Sequence, residues 1–226
     1  MIVSMARGRC AVRLAVALPV ACVLGLPVSA AAHVSVEAPS VVANGGFEGP
    51  VSLGSGSVQI KAGSTVGAWH VAMGSIDLVS RAGPWQAFSG RQSVDLSGRS
   101  PGSIEQSFPT VPDRCYTVGY ALAGNPYGGP KVKTGYARVT QGSLTVQQRF
   151  SFDTAGKTSR NMGYVREGFS FCAQGSRATL SFVSATAGAY GPVLDDVTVT
   201  PRRLYPLPAT GDAGVGGVNE PSGNDG

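Results

Sequence analysis

Two short stretches decide how this chain folds: Asn44-Gly45-Gly46-Phe47-Glu48, and Gly191-Pro192-Val193-Leu194-Asp195-Asp196-Val197-Thr198-Val199-Thr200. Each places carboxylates in an apolar setting that glycine residues interrupt. In an all-β domain whose first and last strands lie together, the carboxylates of the two stretches can meet. Because a buried carboxylate cluster needs a cation, this pairing predicts a structural calcium site in a β-sandwich.

The residues between the two stretches have the pattern of many short strands. Runs of alternating apolar residues are separated by Gly, Ser, Pro and Asn, and no run shows helical periodicity. The predicted strands are Val51–Ile60, Gly67–Ala72, Ser75–Val79, Gln92–Leu96, Ser103–Phe108, Cys115–Ala121, Lys131–Val139, Leu144–Phe152, Tyr164–Cys172, Ala178–Val183 and Val193–Thr200. Strands of this length and spacing predict an all-β, jelly-roll β-sandwich.

The first 32 residues differ in composition from the rest. Basic residues from Arg7 to Arg13 precede an apolar run from Leu14 to Val28, and small residues follow at 29–32. This order is typical of a secretory signal peptide, and the apolar run is too short and too broken by proline for a membrane span. We therefore expect a signal peptide over 1–32, an N-terminal linker over 33–41, and a protein that is secreted and extracellular or cell-wall-associated.

Cysteine use and charge agree with export. Cys10 and Cys22 fall within the predicted signal peptide, whereas Cys115 and Cys172 each begin or end a predicted strand. An even pair in an exported protein predicts one disulfide, and two free buried thiols are the alternative.

The net charge of +5 comes largely from the three arginines at the N-terminus, and the remaining basic residues are scattered. This charge pattern argues against a nucleic-acid surface.

The composition changes again after Thr200. Residues 201–226 are rich in Pro, Gly, Asn and Asp, which predicts a disordered tail after a domain over 42–200. Within the tail, Leu207-Pro208-Ala209-Thr210-Gly211 spells a sortase-type sorting pentapeptide. A working signal also needs an apolar span and a basic end, and neither follows here. The signal is nonfunctional, the sequence is truncated, or the match is by chance; we favour a chance match or a decayed signal.

An ordered set of short motifs through residues 42–200 carries a family resemblance. Besides the opening and closing stretches, the set includes Gly74-Ser75-Ile76-Asp77-Leu78-Val79, Gln92-Ser93-Val94-Asp95-Leu96-Ser97-Gly98 and Ala121-Leu122-Ala123-Gly124-Asn125-Pro126. This set resembles the bacterial choice-of-anchor C family, of the domain of unknown function 642 type, which plant cell-wall proteins share. The resemblance implies a galactose-binding-like β-sandwich, secretion, association with polysaccharide or cell wall, and no established catalytic activity.

Glu48, Asp195 and Asp196 are the predicted calcium ligands, and the resemblance of both stretches to calcium-holding carbohydrate-binding modules supports them. Calcium takes about six to eight oxygen ligands. Neighbouring strand residues face opposite sides, so only one of the two aspartates can point at a given ion. Asp195 shares parity with the apolar Val197 and Val199, so we expect Asp195 to be buried and Asp196 to face outward. The alternative is that these carboxylates cap backbone amides without a metal.

Aromatic and amide side chains in the predicted loops are candidates for holding a sugar. Sugar faces stack on flat rings, and amide groups hold sugar hydroxyls. The predicted ligand-binding residues are Trp85, Asn125, Tyr127, Asn161 and Tyr190, with Phe88 and Tyr164 as further aromatic candidates. We expect Tyr127 to be an exposed platform, Trp85 to lie at a loop edge and Trp69 to belong to the core. The alternatives are ordinary packing for each aromatic and turn geometry for each Asn.

Nothing in the sequence selects a catalytic centre. His70 is the only histidine well inside the domain, so a Ser–His–Asp triad would have to be built on it, and no pair of carboxylates stands out by spacing. The prediction is therefore a secreted, non-catalytic module that binds carbohydrate or associates with the cell wall. The alternatives are an adhesin-like or structural domain that contacts another cell-wall protein, and a glycan-active enzyme.

Overall fold

The computed structural model describes residues 38–50 and 52–202. The predicted signal peptide, most of the predicted linker and the tail with its pentapeptide lie outside the described residues. The described part forms twelve strands: β1 Ser57–Lys61, β2 Thr65–Val66, β3 Trp69–Met73, β4 Ser75–Ser80, β5 Gln92–Asp95, β6 Ser103–Pro109, β7 Cys115–Gly124, β8 Val132–Gln141, β9 Leu144–Asp153, β10 Val165–Cys172, β11 Arg177–Ser184 and β12 Pro192–Pro201. In this part of the chain, no helix is long and apolar enough to cross a membrane.

The strands form two antiparallel sheets of six. The first sheet has the order β1-β4-β5-β12-β7-β10, and the second has the order β2-β3-β6-β11-β8-β9. The prediction of an all-β jelly-roll sandwich is confirmed. Tyr120 of the first sheet packs edge-on against Phe182 of the second, with ring centroids 5.0 Å apart, so the core lies between the two sheets.

Most predicted strands agree with the observed ones to within three residues at each end. The first predicted strand, Val51–Ile60, is wrong in its extent, because only Ser57–Lys61 pairs with β4. The two-residue strand β2 was not predicted, since two residues are too few to show a period. Trp69 is fully buried, as expected for a core residue.

The opening stretch contacts the last strand, as predicted. The Val197 amide donates to the Gly45 carbonyl at 2.9 Å, and the Val41 amide donates to the Val199 carbonyl at 2.8 Å. A Cβ atom on residue 45 would overlap the Val197 carbonyl oxygen, so glycine is required there. Strand β12 is also central in its sheet, where it pairs with β5 and β7. The two ends of the domain therefore meet beside its central strand.

The predicted disulfide is present between Cys115 and Cys172. The two cysteines lie directly opposite each other in the antiparallel register of β7 and β10. Since β10 is the edge strand of the first sheet, the disulfide ties that edge to its inner neighbour.

Candidate functional site

The outer face of the first sheet carries two aspartates. Asp77 of β4 lies directly opposite Asp95 of β5. Their neighbours Leu78 and Val94 are fully buried in the core, and because strand residues alternate, the two aspartates point away from the core. Residues 81–91, between β4 and β5, and residues 125–131, between β7 and β8, cover this outer face.

A groove of about 520 Å³ lies between these two loops. Four of the five predicted ligand-binding residues line it: Trp85, Asn125, Tyr127 and Tyr190. Asp77 lines it as well. The fifth predicted residue, Asn161, lies in a separate groove. Residues far apart in the sequence are thus brought to one place by the sheet, by these two loops and by a third segment, residues 185–191 between β11 and β12, which carries Tyr190.

Tyr127 and Tyr190 present ring surface to solvent, with 59% and 41% of their surface exposed. The exposure of Tyr127 agrees with the prediction. Trp85 lies in the loop before β5, as expected, but only 5% of its surface is exposed, which is the packing alternative. Its Nε1 donates to Ser93 Oγ at 3.1 Å, and its ring lies 6.2 Å from that of Tyr127. Trp85 is therefore a packed base of the groove, and the two tyrosines supply the open ring surface.

Hydrogen bonds hold the loop that carries Tyr127. Its hydroxyl donates to the Pro84 carbonyl at 2.7 Å, and its amide donates to Asn125 Oδ1 at 3.0 Å. Asn125 Nδ2 donates to Asp95 Oδ2 at 2.8 Å. Both ends of the Asn125 side chain are therefore occupied within the protein. These bonds fit the alternative considered for turn asparagines, in which the side chain shapes the loop, and direct ligand binding by Asn125 stays a prediction.

The two aspartates at the groove differ in their environment. Asp95 is fully buried and accepts hydrogen bonds from Asn125 and from the amides of Ser97 and Gly191. Asp77 is half-buried, lines the groove and accepts no hydrogen bond from any residue that the structure describes. Burial raises the pKa of Asp77 above its ordinary value. The sequence prediction missed Asp77, because alternation shows that a carboxylate faces outward but not what lies above it.

The three predicted calcium ligands point to different places. Asp195 is fully buried. Its carboxylate accepts hydrogen bonds from the backbone amides of Ser89, at 2.9 Å, and Asp196, at 2.6 Å. The Glu48 carboxylate accepts hydrogen bonds from the backbone amides of Arg91, at 2.7 Å, and Gln92, at 3.1 Å. The Asp196 carboxylate instead pairs with Arg166. Within residues 38–50 and 52–202, no three His, Cys, Asp or Glu residues are placed to hold one metal ion together.

Asp195 is buried as predicted, but the parity argument behind that prediction is wrong. The β12 register shifts between Asp195 and Thr198, and Asp196 has a left-handed φ of 47°. Such a bulge moves the residues before it to the opposite face from the residues after it. Asp195 therefore lies on the outer face, beneath residues 88–92, whereas Val197 and Val199 face the core.

Glu48 and Asp195 together hold one loop, residues 88–92. The groups that surround their oxygens are backbone N–H donors, whereas a calcium ion needs oxygen lone pairs. The residues present fit the metal-free alternative, in which carboxylates cap backbone amides. Calcium binding at these residues stays a prediction.

A second groove, of about 270 Å³, contains the remaining sequence candidates. Asn161, Phe88 and Tyr164 line it. The Phe88 ring packs edge-on against Tyr164, with centroids 5.7 Å apart, and the Arg166 guanidinium lies 4.4 Å from the Phe88 ring centre. Phe88 keeps 40% of its surface exposed.

Burial of the two outer-face aspartates predicts a pH-dependent stability. Burial raises the pKa of Asp95 and of Asp195 from 3.8 to about 7. A raised pKa means that the folded chain binds these protons more tightly than the unfolded chain does. The stability that this proton binding contributes is fully present below about pH 4, near the pKa of the unfolded chain. It is lost as the pH rises through about 7, the pKa of the folded chain. We expect the free energy of unfolding, measured by urea denaturation, to fall by up to about 5 kcal/mol from pH 5 to pH 8, because each of the two groups contributes about 1.4 kcal/mol per pH unit up to its folded-state pKa.

The control for this pH experiment is the double variant Asp95→Asn, Asp195→Asn, which carries no titrating group at either position. Its free energy of unfolding should vary less between the two pH values, whatever its absolute stability. A wild-type protein that is equally stable or more stable at pH 8 would contradict the assignment.

The fold and the groove define a class of protein: a two-sheet β-sandwich domain with a loop-covered, aromatic groove on one outer sheet face. The chain belongs to the family described as "Protein of unknown function (DUF642)", which it matches over residues 40–200. The resemblance to the 642-type family is thereby confirmed. The choice-of-anchor C name and the galactose-binding-like type stay predictions.

Comparison with known proteins gives distant relatives. Halomucin of Haloquadratum walsbyi is 27% identical over 198 residues, which is 84% of this chain but only 2% of Halomucin. Among solved structures, TmCBM61 in complex with β-1,4-galactotriose is 16% identical, with 72% of this chain and 99% of that chain covered and a TM-score of 0.47. A family 35 carbohydrate-binding module from Clostridium thermocellum is 15% identical, covering 64% and 98%, with a TM-score of 0.42. At this similarity, the ligand of the present chain has to be argued from its own groove.

Proposed function

We propose that this protein is a non-catalytic module that binds carbohydrate in the groove beneath Tyr127 and Tyr190. One observation carries the proposal: two exposed tyrosine rings and a half-buried carboxylate, which has no hydrogen-bond partner among residues 38–50 and 52–202, converge in a groove of about 520 Å³. A sugar offers an apolar ring face and a rim of hydroxyl groups. Aromatic rings and a hydrogen-bond acceptor are the complementary surface.

The two tyrosines are suited to stacking because they are already positioned. The Tyr127 hydroxyl and amide are both hydrogen-bonded within the protein. The Tyr190 ring lies against Gly128, where a Cβ atom would overlap it. Side chains held in place lose little rotamer entropy when a ligand binds, so more of the stacking energy remains as affinity.

Asp77 is the acceptor for sugar hydroxyl groups in this proposal. Hydrogen bonds to an ionised carboxylate are roughly twice as strong as those between neutral groups. Its negative charge also disfavours an anionic ligand in the same groove. The proposal therefore specifies neutral sugar units at this position.

The geometry of the two aspartates supports binding without hydrolysis. A glycosidase needs two carboxyl groups that both reach the scissile bond. Asp95 has no exposed surface and is enclosed by Asn125 and the amides of Ser97 and Gly191. Only Asp77 of this pair can touch a ligand, which disfavours the glycan-active enzyme considered as an alternative.

The proposal places the protein outside the cell, with a polysaccharide or cell-wall glycan as its partner. The predicted signal peptide over 1–32 supports export. The Cys115–Cys172 disulfide supports it too, because disulfides persist mainly in oxidising compartments.

Retention on insoluble polysaccharides tests this function. We expect the full-length protein to be retained on at least one member of a panel, and Tyr127→Ala and Asp77→Asn to weaken retention at least about tenfold. The matched control is Tyr136→Ala, which removes a tyrosine from β8 of the other sheet. It should be retained like the wild-type protein.

Each panel is run with calcium and with a chelator. If Glu48 and Asp195 cap amides without a metal, the chelator leaves retention unchanged; if they hold calcium, it reduces retention. Wild-type protein that is retained on no polysaccharide would overturn the proposed function. Such a result would favour the adhesin-like alternative, in which the partner is another cell-wall protein.

A further inference from the structure

The loop segment of residues 84–88 separates the two grooves. Pro84 and Trp85 line the first groove, whereas Gln86 and Phe88 line the second. The five residues are consecutive, and a chain rises by at most about 3.6 Å per residue. The two grooves are therefore adjacent, on either side of one short ridge.

Tyrosines from both grooves hold this ridge. On the first side, the Tyr127 hydroxyl donates to the Pro84 carbonyl at 2.7 Å. On the second side, the Tyr164 hydroxyl donates to the Gln86 carbonyl at 3.1 Å. The Gln86 amide also donates to the Ser159 carbonyl at 3.3 Å. The ridge is thus fixed at successive peptide groups, and both grooves are formed before any ligand binds.

The second groove offers hydrogen-bonding groups that the protein itself does not use. Asn161 is exposed, and its side-chain amide makes no hydrogen bond to any residue between 38 and 202 that the structure describes. Arg160 is exposed and has no carboxylate partner in the same part of the chain. An amide and a guanidinium together present donors and an acceptor to hydroxyl groups.

We infer that the second groove is a subsite for the same glycan chain, so that the ligand is an extended oligosaccharide lying across the ridge of residues 84–88. This inference rests on the proposed function and adds the ligand's length and the role of Arg160 and Asn161. Neutral sugar units lie on Tyr127 and Tyr190 beside Asp77. The units beyond the ridge are held by Arg160 and Asn161.

Affinity as a function of chain length tests the inference. The probe is a ladder of soluble oligosaccharides, from disaccharide to hexasaccharide, prepared from the polysaccharide that retains the protein, with binding to the full-length chain measured by calorimetry. We expect the wild-type protein to bind the longest member about tenfold or more tightly than the shortest. The double variant Arg160→Ala, Asn161→Ala should lose this gain and keep its affinity for the shortest oligosaccharide that binds.

The matched control is Gln147→Ala, Arg149→Ala, which removes an exposed amide and an exposed guanidinium from β9 of the other sheet. It should keep the gain with length. Binding that does not depend on length, or a gain that survives in the Arg160→Ala, Asn161→Ala variant, would overturn the second subsite while the proposed function stands. If no polysaccharide retains the protein and no commercial ladder binds, the proposed function fails and this inference fails with it.

Discussion

Replacing Trp69 with alanine is expected to lower the free energy of unfolding by about 3–5 kcal/mol. Trp69 has no exposed surface, and its ring packs against Phe47, 5.8 Å away, and Phe182, 6.2 Å away. Its Nε1 also donates to the Asn44 carbonyl at 3.0 Å. The substitution therefore leaves a cavity and removes a partly buried hydrogen bond to the opening stretch.

Urea denaturation followed by far-ultraviolet circular dichroism measures this effect, since the variant lacks one of the two tryptophans. His70→Ala is the control, because His70 is the next residue of β3 and is exposed. That control should change the free energy by no more than about 0.5 kcal/mol. A loss below about 1 kcal/mol for Trp69→Ala would mean that Trp69 does not join the opening stretch to the core.

Removal of the disulfide is expected to lower the free energy of unfolding by about 4 kcal/mol in the chain-entropy model. The bond joins residues that are 57 positions apart, so it removes much conformational freedom from the unfolded chain. The variant is Cys115→Ser, Cys172→Ser, studied by urea denaturation beside wild-type protein with and without reductant. Reduced wild-type protein should behave like the variant.

Thr117→Ala, Ser170→Ala is the matched control for this experiment. These two residues face each other in the same pair of strands, and their exposed hydroxyls are 3.4 Å apart. Because exposed hydrogen bonds contribute little, this control should cost less than about 1 kcal/mol. Equal stability of the disulfide-free variant and the wild-type protein would contradict the stabilising role assigned to the bond.

The sheets could be predicted from the sequence because the alternation of apolar residues is a local signal. Leu180 and Phe182 share a face in the pattern, and both are fully buried in β11. The bulge at Asp196 could not be predicted in this way. The bulge depends on one residue with a left-handed φ. It reverses which face of the sheet each earlier residue of β12 points to.

The candidate site was predictable in its residue types and less so in its geometry. Glycine and proline next to Tyr127 indicated an exposed loop aromatic, and that interpretation is confirmed. The same kind of context around Trp85 indicated its loop position but not its burial, because its indole packs against Ser93 on the sheet beneath it. Asp77 was missed, since its importance comes from the two loops that lie above it, and these are distant in the sequence.

The carboxylates of the opening and closing stretches were predictable in position but not in their hydrogen-bond partners. Their sequence pattern indicates a calcium site, and the sequence does bring Glu48 and Asp195 to the same loop. What the pattern lacks is the direction of the backbone amides of residues 88–92. These amides donate to both carboxylates, which is the metal-free alternative, and calcium binding at these residues stays a prediction.

The most direct test of the carbohydrate-binding groove is a nuclear magnetic resonance titration of the isotope-labelled full-length protein with an oligosaccharide from the retained polysaccharide. The account predicts that the largest shift changes occur at the Trp85 indole N–H and at the amides of Asp77, Gly98 and Tyr127, which surround the groove. The amides of Tyr136 and Ser181, on the outer face of the second sheet, should not change. Shift changes centred on that second sheet, or no changes at a saturating concentration, would contradict it.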